Sequence, residues 1–512
     1  TATGGGGGSG WNLTGNAGTD PTTDFLGTTD GQPLELRVNS NRVYRIENSA
    51  LGIPNLIGGH ADNAITAGVS GATIGGGGKG SQGNVVTDDF GTIGGGQVNK
   101  AGDDAGGVDD ARYATVGGGI NNQARGAYAT VAGGNGNFVT DAYGSAQGGH
   151  NVALGLAATI GGGRQNQTDG QGSTVAGGET NSAASAYATI GGGSANLAGG
   201  AYSTVAGGGT ADPADAATAN KVYDDYGTIG GGGDNQAGDD SDSDPTQQTF
   251  ATVSGGTQNA AVSAYSTVGG GVNNVAGSGF SGSATVAGGS NNQATATSAT
   301  VGGGGINQAT GNQSTVSGGS NNIAGANKAT VGGGQFNNAS GVEATIGGGD
   351  SNTASGSNST ISGGASNEAS TVNATVGGGA LNVASGFSAT VPGGHSNSAA
   401  GSYSFAAGRR AKAQNDGSFV WADDTDLDFT TTADDQFLVR AAGGVGIGTD
   451  SPATELEVTG TVTATAFVGD GSGLTNLPGG GGWEVQGNSI AFGDFVGTTN
   501  TFPLELRANS IV

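Results

Sequence analysis

Residues 299–331 read ATVGGGGINQATGNQSTVSGGSNNIAGANKATV, and they contain two copies of one 15-residue unit and the start of a third. Thr300, Thr315 and Thr330 mark the unit, and each is followed by Val and then by a glycine-rich stretch. β-Branched residues favour strands, whereas Gly adopts the positive φ of a tight corner. The stretch therefore predicts a short strand, a corner and a return strand, repeated every 15 residues.

The unit recurs over most of the chain, from Thr115 to Thr390, and Ser404 and Ser418 continue the row of marker residues. An Asn lies seven residues after the marker and an Ala nine residues after it, which gives Ala-Thr-Val-x-Gly-Gly-x-x-Asn-x-Ala. Because such units stack in a solenoid, like residues are expected to form ladders along it. The ladder residues of the most regular stretch are Thr300, Thr315, Thr330, Thr345, Val301, Val316, Val331, Ile346, Asn307, Asn322 and Asn352.

The amino-acid composition agrees with a regular β structure. Gly supplies 112 of the 512 residues and charged residues only 11%, which is far from ordinary globular usage. Gly shows no three-residue period and there are only nine Pro, which excludes a collagen helix. Recurrent Val, Ile and Thr argue against a disordered chain. We predict an all-β fold, a parallel β-roll or solenoid with turns of 14–15 residues.

The short period also bears on assembly. A turn of 15 residues at roughly 3.3 Å per residue has a perimeter of only about 50 Å, which leaves little interior beyond one Val and one Ala. A single roll of this kind would be poorly stabilised. We therefore expect a parallel homotrimer with cyclic symmetry, in which each chain covers a face of its sister chains.

The charge balance limits the kinds of molecule that the chain can bind. Fifteen basic residues against 41 acidic ones give a formal charge of −26, which repels nucleic acid and anionic membranes. The chain has no Cys, which excludes disulfides and thiolate metal sites. No apolar run approaches the roughly 20 residues that a membrane helix needs, so no membrane contact is expected in this segment. An extracellular or cell-surface location is the expectation.

The two ends of the chain repeat each other. Trp11 and Asp24-Phe25-Leu26-Gly27 return as Trp483 and Asp494-Phe495-Val496-Gly497, which predicts a longer polypeptide or a polymer of near-identical modules.

A second β module is expected after the β-roll array. In it, 436–440 and 445–448 are expected to pair as strands, and 456–467 to form another strand. The expected regions are an N-terminal β-connector at 1–60, irregular first solenoid turns at 61–113, the β-roll array with acidic insertion loops at 114–422, a second β module at 423–478 and the start of the next connector at 479–512.

Acidic clusters are candidate calcium ligands, because Ca²⁺ prefers six to eight oxygen ligands. One cluster lies in an insertion between the marker residues Thr228 and Thr252, and the other follows the array. Neither has the spacing of an EF-hand, so solvated or contact loops are the alternative. No other cofactor is expected. The candidates are Asp239, Asp240, Asp242, Asp244, Asp423, Asp424, Asp426 and Asp428.

An aromatic residue stands two positions before the marker in much of the first half of the array. Such a stripe is expected to form a ladder that stabilises the sheet or a seam between subunits. Sugar binding is the alternative, since glycans stack on aromatic rings. The stripe includes Tyr113, Tyr128, Tyr143, Tyr187 and Tyr202.

The stretch 114–421 resembles the heads of trimeric autotransporter adhesins, which are left-handed parallel β-rolls. The motif Ser402-Tyr403-Ser404-Phe405-Ala406-Ala407-Gly408, followed by Ala411-Lys412-Ala413, carries the resemblance. The stretches 443–452 and 467–477 resemble shaft modules of phage tail fibres and large bacterial surface proteins. These resemblances imply a trimeric fibre and name no catalytic residue.

The sequence gives little support for catalysis. His60, His150 and His395 are far apart, and the glycine run that ends at Lys79 lacks the hydroxyl residue of a nucleotide P-loop. We predict a non-catalytic structural subunit of an extracellular fibre or surface filament that binds itself end to end, with surface glycans or neighbouring filaments as further partners. The alternatives are an adhesin or phage-fibre-like receptor-binding stalk and, less favoured, a polysaccharide depolymerase.

Overall fold

In the computed structural model, the described residues are 14–212, 215, 218–240, 246, 249–278, 282–466 and 468. They belong to two compact units, one reaching Ala442 and one beginning at Gly443. The first unit is a parallel β-solenoid with turns of about 15 residues, so the predicted all-β solenoid is confirmed. Asp242, Asp244, most of 467–477 and the predicted repeat at 479–512 lie outside the described residues.

Two sheets run the length of the solenoid, and we name them by their usual residues. The Thr sheet contains these parallel strands: Asn55–Gly58, Thr73–Ile74, Thr92–Ile93, Thr115–Val116, Thr130–Asn135, Ser145–Gly149, Thr159–Ile160, Thr174–Val175, Thr189–Ile190, Thr204–Val205, Thr228–Ile229, Thr252–Val253, Thr267–Val268, Thr285–Val286, Thr300–Val301, Thr315–Val316, Thr330–Val331, Thr345–Ile346, Thr360–Ile361, Thr375–Val376, Thr390–Val391, Gly394–His395, Phe405–Arg409, Phe419–Ala422 and Phe437–Arg440.

The Ala sheet is formed by the return strands. They are Ala64–Ile65, Val85–Val86, Lys100–Ala101, Gln123–Ala124, Phe138–Val139, Val152–Ala153, Gln167–Thr168, Ser182–Ala183, Leu197–Ala198, Lys221–Val222, Gln236–Ala237, Ala260–Ala261, Val275–Ala276, Gln293–Ala294, Gln308–Ala309, Ile323–Ala324, Asn338–Ala339, Thr353–Ala354, Glu368–Ala369, Val383–Ala384, Ser398–Ala399, Ala411–Ala413 and Phe429–Thr430.

Strand register follows the sequence repeat. Thr300 pairs with Thr315, which pairs with Thr330 in turn. Thr204 pairs with Thr228 even though the step between them is 24 residues, so the ladder resumes in register after the insertion. Near the end of the array, the prediction that Ser404 and Ser418 take the marker position was wrong by one residue. Phe405 and Phe419 take the Thr register, and both Ser side chains are buried instead.

Each turn closes its own core. In the turn after Thr315, the side chains of Val316, Asn322, Ala324 and Ala329 are all fully buried within the single chain. The prediction of an interior limited to one Val and one Ala was therefore wrong, because a second small residue and an Asn also point inward. Because each chain buries its own core, the argument that a single roll needs sister chains for stability does not hold. The homotrimer stays a prediction.

One corner of each turn depends on Gly. Gly319 has a φ of +88°, and a Cβ there would come within 2.1 Å of the Gly334 carbonyl oxygen in the next turn. No L side chain fits such a close approach. The sequence-based assignment of a tight corner to the glycine run agrees with this geometry.

The other corners use non-glycine residues in the left-handed region, which the sequence did not predict. Asn321 has a φ of 55°, and Tyr128 has a φ of 59°. The amide of Thr315 donates to Ala329 in the following turn at 2.9 Å, whereas the amide of Asn321 donates back to Gly305 at 3.0 Å. The left-handed conformation therefore reverses the direction of the backbone N–H. As a result, each turn of the solenoid donates hydrogen bonds to both the following and the preceding turn.

An antiparallel hairpin covers the first edge of the Thr sheet. Its strands are β1, Leu34–Val38, and β2, Asn41–Glu47, and β2 pairs antiparallel with β3, Asn55–Gly58. Arg42 of β2 donates to three carbonyl oxygens of the first turn, at 2.9–3.0 Å. An exposed sheet edge invites pairing with other chains, and the hairpin protects this one.

The strands that follow the array pair differently from the prediction. Phe437–Arg440 pairs with Phe419–Ala422 and so extends the Thr sheet. Stacking of Phe437 on Phe419 at 4.7 Å accompanies this pairing, which takes the place of the predicted pairing with 445–448. In the second unit, Val445–Ile447 pairs with Leu456–Val458, and the predicted strand 456–467 is limited to those three residues in its described part. No helix among the described residues could cross a membrane.

Candidate functional site

The ladder residues singled out from the sequence lie where stacking predicts. Thr and Val or Ile of successive turns pair in register from Thr300 to Ile346. The β-branched Val or Ile points into the core and the Thr points outward. This row of Thr at the strand spacing is the most regular outward feature of the described array.

The Asn ladder is a buried hydrogen-bond chain. The Asn322 side chain donates to the carbonyl oxygens of Gly318 at 3.0 Å and Gly334 at 2.8 Å. Its Oδ1 accepts from the Asn337 backbone N–H at 3.0 Å and from the Asn337 side chain at 3.1 Å. Asn307 and Asn352 make equivalent bonds. Buried backbone groups at the corner are thus satisfied by one side chain per turn.

The aromatic stripe forms two stacked segments in the described array. Neighbouring ring centroids are 4.8–5.2 Å apart and the rings are within 19° of parallel. Ala157 and Gly172 occupy the same position between the segments. The first segment contains Phe90, Tyr113, Tyr128 and Tyr143, and the second contains Tyr187, Tyr202, Tyr226, Phe250 and Tyr265.

Stacking determines what the stripe can bind. Inside a segment each ring covers the faces of its neighbours, so only ring edges and phenol groups face solvent. The last ring of each segment is more open: Tyr143 is 60% exposed and Tyr265 59%, against 49% for Tyr128. Sugars stack on ring faces, so the stacked geometry favours the predicted ladder over sugar binding, and both roles stay predictions.

The acidic residues after the array lie in an ion-pair network. Arg410 bonds Asp428 at 2.7 Å and Asp426 at 3.2 Å, and Arg440 bonds Asp423 at 3.0 Å. The backbone carbonyl of Asp424 accepts from Arg409. Asp423, Asp426 and Asp428 are therefore paired with basic side chains, and calcium binding by this cluster stays a prediction.

The pKa values of this network follow its hydrogen bonds. Bonds from the Thr425 side chain and the Ala442 amide lower the pKa of Asp423 to about 2. The bond from Arg410 lowers the pKa of Asp428 and raises that of Arg410. These groups stay charged throughout the neutral range, so the network ties the last strands of the solenoid together.

Two buried aspartates hold acidic insertions, and sequence analysis missed their role. Asp88 accepts from the amides of Asp103 at 2.9 Å and Ala111 at 3.3 Å, and Asp224 accepts from the amide of Asp239 at 2.9 Å. The signal was present, because Asp-Asp followed by Phe-Gly or Tyr-Gly precedes Ala-Gly-Asp-Asp in both places.

One carboxylate group in the described part has metal-ligand spacing. Asp88, Asp103 and Asp110 place one oxygen each within 4.8 Å of one another. Burial raises the pKa of Asp88. The Asp88 oxygens already accept hydrogen bonds from the amides of Asp103 and Ala111. This carboxylate therefore anchors the insertion that contains those two residues. Of the predicted calcium ligands, Asp239 and Asp240 are not part of this group.

No protein-family model matches the chain, and no curated protein matches it. The solenoid and its ladders are therefore the basis on which function is inferred.

Proposed function

We propose that this chain is a non-catalytic structural segment of an extracellular filament. The observation that carries the proposal is the unbroken register of the Thr sheet across insertions: Thr204, Thr228 and Thr252 pair in succession although 24 residues separate each from the next. Residues are inserted while the ladder is kept. A chain that maintains one cross-section over many turns is suited to span distance.

The dimensions support this role. The Thr sheet has 24 parallel strands from Asn55–Gly58 to Phe437–Arg440, omitting the short Gly394–His395 pair. At about 4.8 Å per strand, the first unit is roughly 110 Å long. The sequence repeat between the two ends of the chain supports end-to-end modules. We further propose a surface location and self-association, with the homotrimer as the assembly suggested by resemblance.

Negative-stain microscopy of native material tests the proposal. Modules joined end to end into filaments of uniform width are expected. Single capped stalks with a distal knob would contradict the filament and favour the adhesin. Light scattering on the purified chain gives the assembly mass, and three times the chain mass is expected for the trimer.

A receptor-binding stalk is the second candidate, and the insertions favour it. Two of them depart from adjacent turns of the solenoid, between Thr204 and Thr252. Loops grouped on one part of a rod are suited to contact with another molecule. Deletion of both loops separates the candidates, because it should leave filaments intact and abolish attachment only if these loops bind.

A further inference from the structure

A polar cavity of about 360 Å³ lies beside the two insertions. Its lining includes Lys221, Tyr223, Asp234, Gln236, Asp240 and Ala260. Ala219 of the cavity lining directly precedes the strand that carries Lys221, and Asp240 follows the strand that carries Gln236. The cavity therefore lies where the regular array is interrupted, on the outer side of the Ala sheet.

The floor of the cavity is set by strand register. Lys221 pairs with Gln236, and Gln236 pairs with Ala260, so the three residues form consecutive outward positions of the Ala sheet. Later turns place Gln293 and Gln308 in this position. The methyl group of Ala260 is much smaller than a Gln side chain, so the floor is deepened at this turn.

The chemistry of the walls is that of hydroxyl recognition. Tyr223, Asp234 and Asp240 line the same cavity, where burial raises the pKa of Tyr223 and the charges of Asp240 and Asp234 raise it further. The phenol keeps its proton and can donate. The carboxylates accept, and the Gln236 amide is held by its bond to the Gly238 carbonyl at 2.9 Å. Donors and acceptors therefore both line one small space.

We propose that this cavity is a binding site for a neutral saccharide. Most small-molecule sites of about 300–1,000 Å³ are lined by apolar groups, whereas this one is lined mainly by amides, two carboxylates, the Lys221 ammonium and a phenol, which can all bond sugar hydroxyls. Asp234 and Asp240 together outweigh the single positive charge of Lys221, so the walls are negative on balance and disfavour uronic or sialic acids. A metal ion fits less well, because the three-carboxylate group with metal-ligand spacing in the described residues lies elsewhere, at Asp88.

The test is binding of the full chain to a printed array of neutral, sialylated and uronic-acid oligosaccharides, followed by calorimetry with any neutral oligosaccharide that binds. Ala260→Gln fills the floor with the residue that other turns carry, and we expect at least a tenfold loss of affinity. Ser182→Gln likewise introduces Gln at an outward position of the Ala sheet, remote from the cavity, and should leave affinity unchanged. A thermal melt of each variant checks that it folds.

Tyr223→Phe supplies an independent variant, in case Ala260→Gln does not fold. Loss of the phenol hydrogen bond should weaken binding about five- to tenfold, while Tyr202→Phe on the aromatic stripe should not change it. Absence of binding to every neutral oligosaccharide on the array would overturn the proposal. Equal affinity of the wild type and the folded cavity variants would also overturn it.

Discussion

Replacement of Asn322 by Ala should open the solenoid locally, because this side chain satisfies three backbone groups at once. Asn322→Ala leaves the buried Asn337 N–H without its acceptor, at a cost of about 1–3 kcal/mol. It also removes the bonds to the carbonyl oxygens of Gly318 and Gly334, each worth about 1 kcal/mol. The expected loss is about 3–5 kcal/mol.

Hydrogen exchange is the appropriate assay, because turns of a solenoid interact mainly with their neighbours and can open separately. A loss of 3–5 kcal/mol corresponds to roughly a 10²- to 10⁴-fold rise in the opening constant. Faster exchange should be confined to peptides covering about 307–337, with turns several repeats away unchanged.

The matched control is Asn312→Ala, which makes the same change at an exposed position of the preceding turn. Its effect should stay within about 0.5 kcal/mol, as for other surface substitutions. If Asn312→Ala and Asn322→Ala changed exchange equally, the buried Asn ladder would not be what holds the corner together.

Three further outcomes follow from single side chains. Thr168 is fully buried in a position that Val139 fills in an earlier turn, and its hydroxyl has no hydrogen-bond partner. Thr168→Val should therefore stabilise the fold by about 1–2 kcal/mol and raise the melting temperature, whereas Val139→Thr should lower it. Opposite signs would refute the assignment. Tyr226→Ser removes two stacked ring pairs, at 5.2 and 4.8 Å, and should cost about 1–3 kcal/mol with loss of near-ultraviolet circular dichroism, whereas an unchanged spectrum would mean that the rings do not stack in solution. The pKa of Asp423 is about 2 in the folded chain, below the unfolded value of about 3.9, because Thr425, the Ala442 amide and Arg440 bond its charged form; these bonds contribute fully above about pH 5 and are lost as the pH falls through 2, and a carboxyl titration by NMR with a midpoint near 4 would contradict this.

The sequence predicts the sheets well because one local rule repeats. Thr315 and Val316 favour an extended strand, Gly319 must take positive φ, and the constant step brings like residues into register. Insertions do not hide the pattern, since the register is restored at Thr228. Stacking also explains why the aromatic residues could be assigned to one stripe before their distances were known.

The sequence predicts the interior and the corners less well, for physical reasons. An inward Asn such as Asn322 looks polar and solvent-exposed until its partners, the corner carbonyls, are placed. Left-handed residues such as Tyr128 are not marked by composition, because their conformation is imposed by bonds to two neighbouring turns. The cavity near Tyr223 depends on the absence of a long side chain at Ala260, which becomes meaningful only in the context of its neighbours.

X-ray fibre diffraction from aligned chains tests the central claim most directly. If single chains form a parallel solenoid that runs through its insertions, a sharp meridional reflection near 4.8 Å is expected, since every strand stacks at that spacing along the long axis. A pattern with no meridional reflection at that spacing would contradict the solenoid, and with it the proposal that this chain is a filament segment.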